Sequence, residues 1–411
     1  ETLRAGVKKR VTIKMPKSQP ALMKEFGSFV DRWLEQNMVP LAADLDTSFE
    51  HWIENTNYPE WRRAELSQKW KELGGWPNLT KKHFVTKGFM KDEHYPDWKH
   101  ARSINSRTDE FKCAVGPIFK LIEKELFQLP YFIKKISTAD RPKYIQELLS
   151  RVGAEYVATD YTAFEANFVK TLMEHCEMKL YKYMTTEIAG GQEWYDLIER
   201  VLTGDQRMYF KYFRARVKAT RMSGEMCTSL GNSFSNLMIM LFMCEKYGVK
   251  DVMGVVEGDD GLFVGTGSFP DAEEFEKLGL MLKMEKHSNL SEASFCGLIF
   301  DENDLQNIAD PFKLMATFGW TTSQYAGSKR SKLLALLRAK SMSYLCQYPA
   351  CPVVASMARY GLRVTRGYDV RGVLEKTKNS WQRQWLGQLD SFRDERLPVG
   401  QGTRDLMERK F

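Results

Sequence analysis

The stretch VMGVVEGDDGLFVG, residues 252–265, constrains the fold more than any other part of the chain. Two runs rich in Val and other β-formers flank Gly258-Asp259-Asp260-Gly261. Turn residues between such runs mark a β-hairpin. Its flanks are apolar, and its tip carries two adjacent carboxylates. Neighbouring carboxylates repel, and in apolar surroundings they stay ionised only when cations neutralise them. Hard oxygens of this kind suit Mg²⁺ or Mn²⁺. A Gly-Asp-Asp triplet arises by composition in a chain this long about one time in ten, and Asp-Gly is also an ordinary turn. The hairpin therefore needs company before it implies chemistry.

The company lies upstream. AEYVATDYTAF (154–164) reads as a buried strand with Asp160 near its end and Glu165 five residues on. Two-metal phosphoryl transfer uses carboxylates from separate strands, bridging ions about 3.5–4 Å apart. Asp160 on a strand end beside Asp259 on a hairpin tip provides that arrangement. Between them stands SGEMCTSLGNS (223–233), with Ser223, Thr228 and Asn232 leading into the apolar helix 231–248, which Gly248 stops. Small polar residues there can set hydroxyls and an amide beside a sugar. Taken alone, the same segment reads as a helix N-cap with buried polar groups.

The rest of the 411 residues reads as helical and mixed, then β-rich, then helical, which makes an α+β fold. Residues 20–75 read largely as helix, stopping at Gly74-Gly75. Residues 116–150 read as helix broken by Pro130, and 167–184 as one helix. Residues 271–280 read as a short helix, 294–300 as a strand, and the chain from 328 onward as mostly helical. The longest clean apolar run, Leu237–Cys244, is far short of the roughly 20 residues that span a bilayer. The start, ETLRAGVKKR, carries no apolar signal-peptide core and no initiator Met, so the chain reads as an excised or processed piece.

Seven cysteines without a CxxC pair read as reduced thiols, and the six histidines match no zinc spacing. The net charge of +7 comes from 60 basic and 53 acidic residues, so its distribution matters more than its size. Basic residues gather in 1–20, 80–112 and 204–221, the last with Arg207, Lys211, Arg214, Arg216, Lys218 and Arg221. Interleaved with aromatics, such runs suit a polyanion.

Asp160-x4-Glu165, then SGEMCTSLGNS, then Gly258-Asp259-Asp260 stand in the order and approximate spacing of polymerase motifs A, B and C. The chain resembles the RNA-dependent RNA polymerases of positive-strand RNA viruses, most closely the tombusvirus-like and flavivirus-like branch. The S-G-x3-T-x3-N-S element is the specific part. LMLKMEKHSNLSEASFCG (280–297) is similar to motif D running into motif E, and KGFMKDE (87–93) with ARSINSR (101–107) to basic motif F. The resemblance covers roughly residues 85–300.

The resemblance implies a right-hand polymerase. Residues 1–153 would form fingers with an N-terminal extension, 154–170 and 221–300 a palm with an antiparallel sheet, 171–220 a fingers insertion, and 301–411 a helical thumb. Asp160 and Asp259, with Asp260 assisting, would hold two Mg²⁺ or Mn²⁺ ions. Ser223, Thr228 and Asn232 would read the ribose and support the template. Arg102, with Lys91 or Lys87, would neutralise the triphosphate, and Lys283 rather than Lys286 would protonate pyrophosphate. The second motif A carboxylate is usually Asp. Here it is Glu165, one methylene longer, which is expected still to accept from the 2′-hydroxyl or from Asn232.

The implied partners are template and nascent RNA, NTPs and other viral replication proteins. The implied location is the host cytoplasm, in membrane-associated complexes reached through other segments or partners. Other readings are a non-catalytic RNA-binding protein on a polymerase fold, a reverse-transcriptase-like polymerase and a metal-dependent nuclease. The nuclease has no use for the motif B element.

Overall fold

The computed structural model describes residues 2–93, 95, 97–374, 392–394 and 396–411. It is a mixed α+β fold with two four-stranded sheets and two compact units. One unit comprises Glu1–Lys91, His100–Lys135 and Gly153–Lys286; the other comprises Asp92–Lys99, Ile136–Val152 and His287–Phe411.

The first unit is built on helices packed against a sheet. Strands β1 (Thr86–Met90), β2 (Ser103–Arg107), β4 (Gln206–Tyr209) and β5 (Arg214–Val217) form one sheet in the order β2-β1-β4-β5. Strands β3 (Glu155–Tyr161), β6 (Lys250–Glu257), β7 (Asp260–Thr266) and β8 (Leu282–His287) form the other in the order β6-β7-β3-β8. β7 is central and pairs antiparallel with both β6 and β3. One large core lies under this second sheet. It joins Phe26 and Trp33 of the helix Pro20–Asn37, Phe119 of Asp109–Leu126, and Trp194 of Gly191–Leu202 to Phe234 and Met238 of Thr228–Lys246. The helix Thr228–Lys246 is buried nearly all round, inside a large core, with Asn232, Ser233, Ser235 and Asn236 among its buried residues.

The expected hairpin forms, with the two-residue turn Gly258-Asp259 between Glu257 and its partner Asp260. Gly258 sits at φ 66°, the left-handed region such a turn requires. Gly74 at φ 73° and Gly248 at φ 74° end their helices as expected.

Several elements differ from the sequence reading. The strand expected at 294–300 is a tight reversal: Phe295 bridges Leu298 across Cys296 and Gly297, which take φ 53° and 74°. Two consecutive left-handed residues turn the chain back before a strand can extend. The single helix expected at 167–184 is two, Lys170–His175 and Glu177–Met184, because Cys176 leaves helical geometry at φ −127°, ψ −93°. The helical 20–75 resolves into Pro20–Asn37, Phe49–Glu54 and Glu60–Leu73. The expected break at Pro130 falls beyond the helix Asp109–Leu126, which accommodates Pro117 within it.

The second unit has its own smaller core, formed by Ile308, Tyr344, Cys351, Val354, Ala358 and Leu406. Its helices include Arg330–Gln347, Val354–Val364 and Gln401–Lys410. Residues 375–391 of the expected helical end lie outside the described residues. All seven cysteines are free thiols. Among the described residues, no helix is long and apolar enough to cross a membrane.

Candidate active site

The site is built where β3 meets the β6-β7 tip. Thr159 pairs with Gly261, so one further step along the antiparallel register brings Asp160 level with Asp260. β3 ends at Tyr161; two residues on, Ala163 takes the left-handed region at φ 47°, and the chain turns into the short helix Phe164–Asn167 carrying Glu165. Asp160 and Asp259 are both solvent-exposed. Enough protein nevertheless surrounds Asp259 for desolvation to push its carboxyl above the ordinary value of 3.8. Its own backbone amide and Arg102 pull that value down, while the charges of Glu165 and Asp160 push it further up. Two further carboxylates and one guanidinium thus act on Asp259 at the tip.

The tip is held from below by the helix Thr228–Lys246. Ser233 Oγ accepts from the Gly258 backbone N–H at 2.8 Å. Asn236 Nδ2 donates to the Gly258 carbonyl at 3.2 Å and to the Asp260 carbonyl at 3.0 Å. The segment before this helix is pinned as well: Ser223 Oγ donates to the Ser103 carbonyl at 2.8 Å, and Thr228 Oγ1 to the Met222 carbonyl at 3.2 Å. Asn232 is buried on the same helix, and its Oδ1 accepts from Arg221 Nε at 3.1 Å.

Residues 140–334 match the family model described as RNA dependent RNA polymerase. The chain is also similar to proteins named RNA-directed RNA polymerase in three viruses. It is 26% identical over 200 residues to that of Striped jack nervous necrosis virus, 25% over 192 to that of Atlantic halibut nervous necrosis virus, and 25% over 199 to that of Greasy grouper nervous necrosis virus. Each match covers 45% of this chain and spans only 19% of the relative's length. Asp160, Glu165, Ser223, Thr228, Asn232, Asp259, Asp260 and Lys283 fall inside the stretch matched by the family model, whereas Lys87, Lys91 and Arg102 lie before it.

The remaining sequence-derived residues separate by environment. Arg102 is the cation acting most strongly on Asp259, and its carbonyl accepts from the Lys91 N–H at 2.8 Å. Lys87 is exposed on β1 opposite Ser106. Lys286 is tied to the Phe269 carbonyl at 2.8 Å and to Asp271 at 2.9 Å. Lys283 is exposed on β8, so it is the lysine of the two whose ammonium is not committed to that loop.

Two arginines of the basic runs are not surface residues. Arg221 is 1% exposed; its Nη2 donates to buried Glu177 at 2.5 Å, and Phe168 stacks 4.3 Å from its guanidinium. Arg107 is 4% exposed and donates from Nε to Glu225 at 2.8 Å, with Gln206 and the Phe84 carbonyl as further acceptors. Burial of each charge is matched by a buried carboxylate, as it must be in a low-dielectric interior.

Glu177, Arg221, Ser233 and Asn236 were absent from the sequence reading of the site. A signal for two of them existed: Ser229, Asn232, Ser233 and Asn236 recur at helical spacing on an otherwise apolar helix, so they share one face. Arg10 was read as part of a basic run; it pairs with Glu165 at 3.6 Å.

The donor set fits a hard divalent cation. The carboxylate of Asp259, its proton affinity raised by burial and by the charges of Glu165 and Asp160, would be relieved by a cation. Among the described residues, no three acidic, His or Cys side chains form a closed metal cage. Mg²⁺ in phosphoryl-transfer sites is held by one or two carboxylates with substrate phosphates and water completing its shell, so two carboxylates suffice.

Proposed function

We propose that this chain is the catalytic part of an RNA-directed RNA polymerase that copies viral RNA from NTPs. The observation that carries the reading is the strand register that brings Asp160 on β3 level with Asp260 at the tip of the hairpin whose turn carries Asp259. The similarity over residues 140–334 supports it. The assignment to a tombusvirus-like and flavivirus-like branch rests on the sequence elements alone, chiefly Ser223-Gly224, Thr228 and Asn232-Ser233. We assign 1–153 to fingers, 154–170 and 221–300 to palm, 171–220 to a fingers insertion and 301–411 to thumb.

Asp160 and Asp259 would hold Mg²⁺ or Mn²⁺, with Asp260 assisting. When bound, such ions would acidify the RNA 3′-hydroxyl and neutralise charge on the transferring phosphoryl group. Arg102 supplies a planar guanidinium toward the triphosphate, a geometry that suits phosphate oxygens, with Lys91 or Lys87 adding charge. Lys283 donates a proton to departing pyrophosphate. Glu165 and Asn232 read the ribose hydroxyl, and Ser223 and Thr228 hold the loop that supports the templating base. Template and nascent RNA are the macromolecular partners. Other viral replication proteins, in membrane-associated complexes of the host cytoplasm, would supply what the chain itself does not carry.

The test is incorporation of labelled NTP on a short RNA template with Mg²⁺ or Mn²⁺, beside Asp259→Ala. Template-dependent product that disappears in the variant is expected. RNA binding without product from the unaltered chain would sink the catalytic reading in favour of an RNA-binding module. Shortened RNA would point to a nuclease.

A further inference from the structure

We propose that Arg221 is a positioning residue that fixes the amide of Asn232, the ribose reader that works beside Glu165, and thereby determines discrimination between ribonucleotides and 2′-deoxynucleotides. The inference rests on the polymerase reading above and deepens it.

Arg221 touches both residues by different parts of itself. Its backbone N–H donates to the Glu165 carbonyl at 3.2 Å, and its side-chain Nε donates to Asn232 Oδ1 at 3.1 Å. A guanidinium has only donors. Asn232 must therefore offer its oxygen to Arg221, which turns its NH₂ donor the other way. Glu165 is an acceptor, and its Oε2 is buried without a hydrogen-bond partner among the described residues; its charge neighbour Arg10 stands off at 3.6 Å. A fixed donor and an unsatisfied acceptor are the complement of a hydroxyl, which both accepts and donates. A 2′-deoxy sugar leaves both groups unpaired, the kind of polar mismatch that discriminates strongly.

The surroundings make Arg221 rigid. Its other nitrogens meet Glu177 at 2.5 Å and Cys227 Sγ at 3.2 Å, and Glu177 also accepts from the Tyr181 hydroxyl at 2.8 Å. Gly231 gives the network its space: a Cβ there would lie 2.3 Å from Glu177 Oε2 and 2.6 Å from Arg221 Nη2. A buried ion pair adds little net stability compared with apolar packing of the same volume. What this one supplies is a fixed direction for the guanidinium, and through it for the Asn232 amide.

The test compares kcat/KM for UTP and 2′-deoxy-UTP on one RNA template, for the unaltered chain and for Arg221→Lys. Lysine keeps a positive charge for Glu177 and loses the Nε donor. The expected result is a loss of discrimination of about tenfold or more, carried by the ribonucleotide. Equal losses for both nucleotides, with the ratio unchanged, would overturn the proposal, because a merely structural role weakens both alike. In an Asn232→Ala background, Arg221→Lys should change the ratio no further; an independent second effect also overturns it. Should Arg221→Lys fail to fold, Glu177→Gln serves instead, since it leaves Arg221 and Asn232 in place and removes the charge that fixes the direction of the guanidinium. A drop in the ratio supports the proposal, and an unchanged ratio ends it. Absence of template-dependent incorporation by the unaltered chain is a separate result, which removes the polymerase reading and this inference with it.

Discussion

Asp259 is a side chain whose ionised form works against the fold. Desolvation, with the charges of Glu165 and Asp160, raises its carboxyl above 3.8, so the folded chain holds that proton more tightly than the unfolded chain. The resulting stabilisation is complete below pH 3.8 and is lost as pH rises through the raised value. At neutral pH the ionised group therefore works against the fold. Asp259→Asn should raise the melting temperature at pH 7, by less than about 1 kcal/mol of stability because the group keeps solvent contact. The same change should abolish incorporation. Adding Mg²⁺ or Mn²⁺ should raise the melting temperature of the unaltered chain and not that of the variant. Thermal melts with and without metal check both statements, and a metal shift that persists in Asp259→Asn would remove Asp259 from the metal site.

Among elements, the β6-β7 hairpin depends on the helix beneath it. Asn236 closes two carbonyls of the turn, and Ser233 closes its amide. A two-residue turn at φ 66° has few contacts of its own, so this clamp sets where Asp259 stands. Asn236→Ala removes two hydrogen bonds and should cost about 1–3 kcal/mol. Incorporation should fall further than that loss of folded protein accounts for, while RNA affinity holds. Denaturant melts with parallel incorporation and binding assays check this, and proportional loss of all three would reduce Asn236 to a packing role. The hairpin was legible in the sequence because its signal is local: β-forming runs around a Gly-Asp turn. The reversal at Cys296-Gly297 was not, because SFCGLIF has strand composition and only its backbone angles break it.

At the scale of the whole molecule, the net charge of +7 is spread unevenly. The solvent face of β4 and β5 carries Arg207 opposite Arg216 and Tyr209 opposite Arg214. Lys87 stands beside Tyr209 on the neighbouring strand β1. Like charges directly across a strand pair are destabilising, and Asp205 relieves only Arg216. Arg214 lies over the Tyr209 ring, 5.1 Å from its centroid, and phosphates of a single strand would relieve the remaining charge. Affinity for a short single-stranded RNA should therefore fall steeply between about 50 and 200 mM salt. Replacing Arg207 and Arg214 together by Ala should reduce the log–log slope by about 1.4, at about 0.7 per phosphate contact. Binding isotherms at several salt concentrations check this, and an unchanged slope would mean that RNA binds elsewhere.

What could be read without coordinates was what neighbours in the chain decide. The α+β class, the carboxylate hairpin, the strand carrying Asp160 and the apolar helix after Thr228 each follow from patterns a few residues long. Partnerships made across the fold could not be read that way. Arg221 meets Glu177 across 44 positions, and Arg107 meets Glu225 across 118. In the sequence each arginine belongs to a run of basic residues indistinguishable from solvated surface. Burying a charge is costly until its partner arrives, and no local pattern records which distant carboxylate packing will bring.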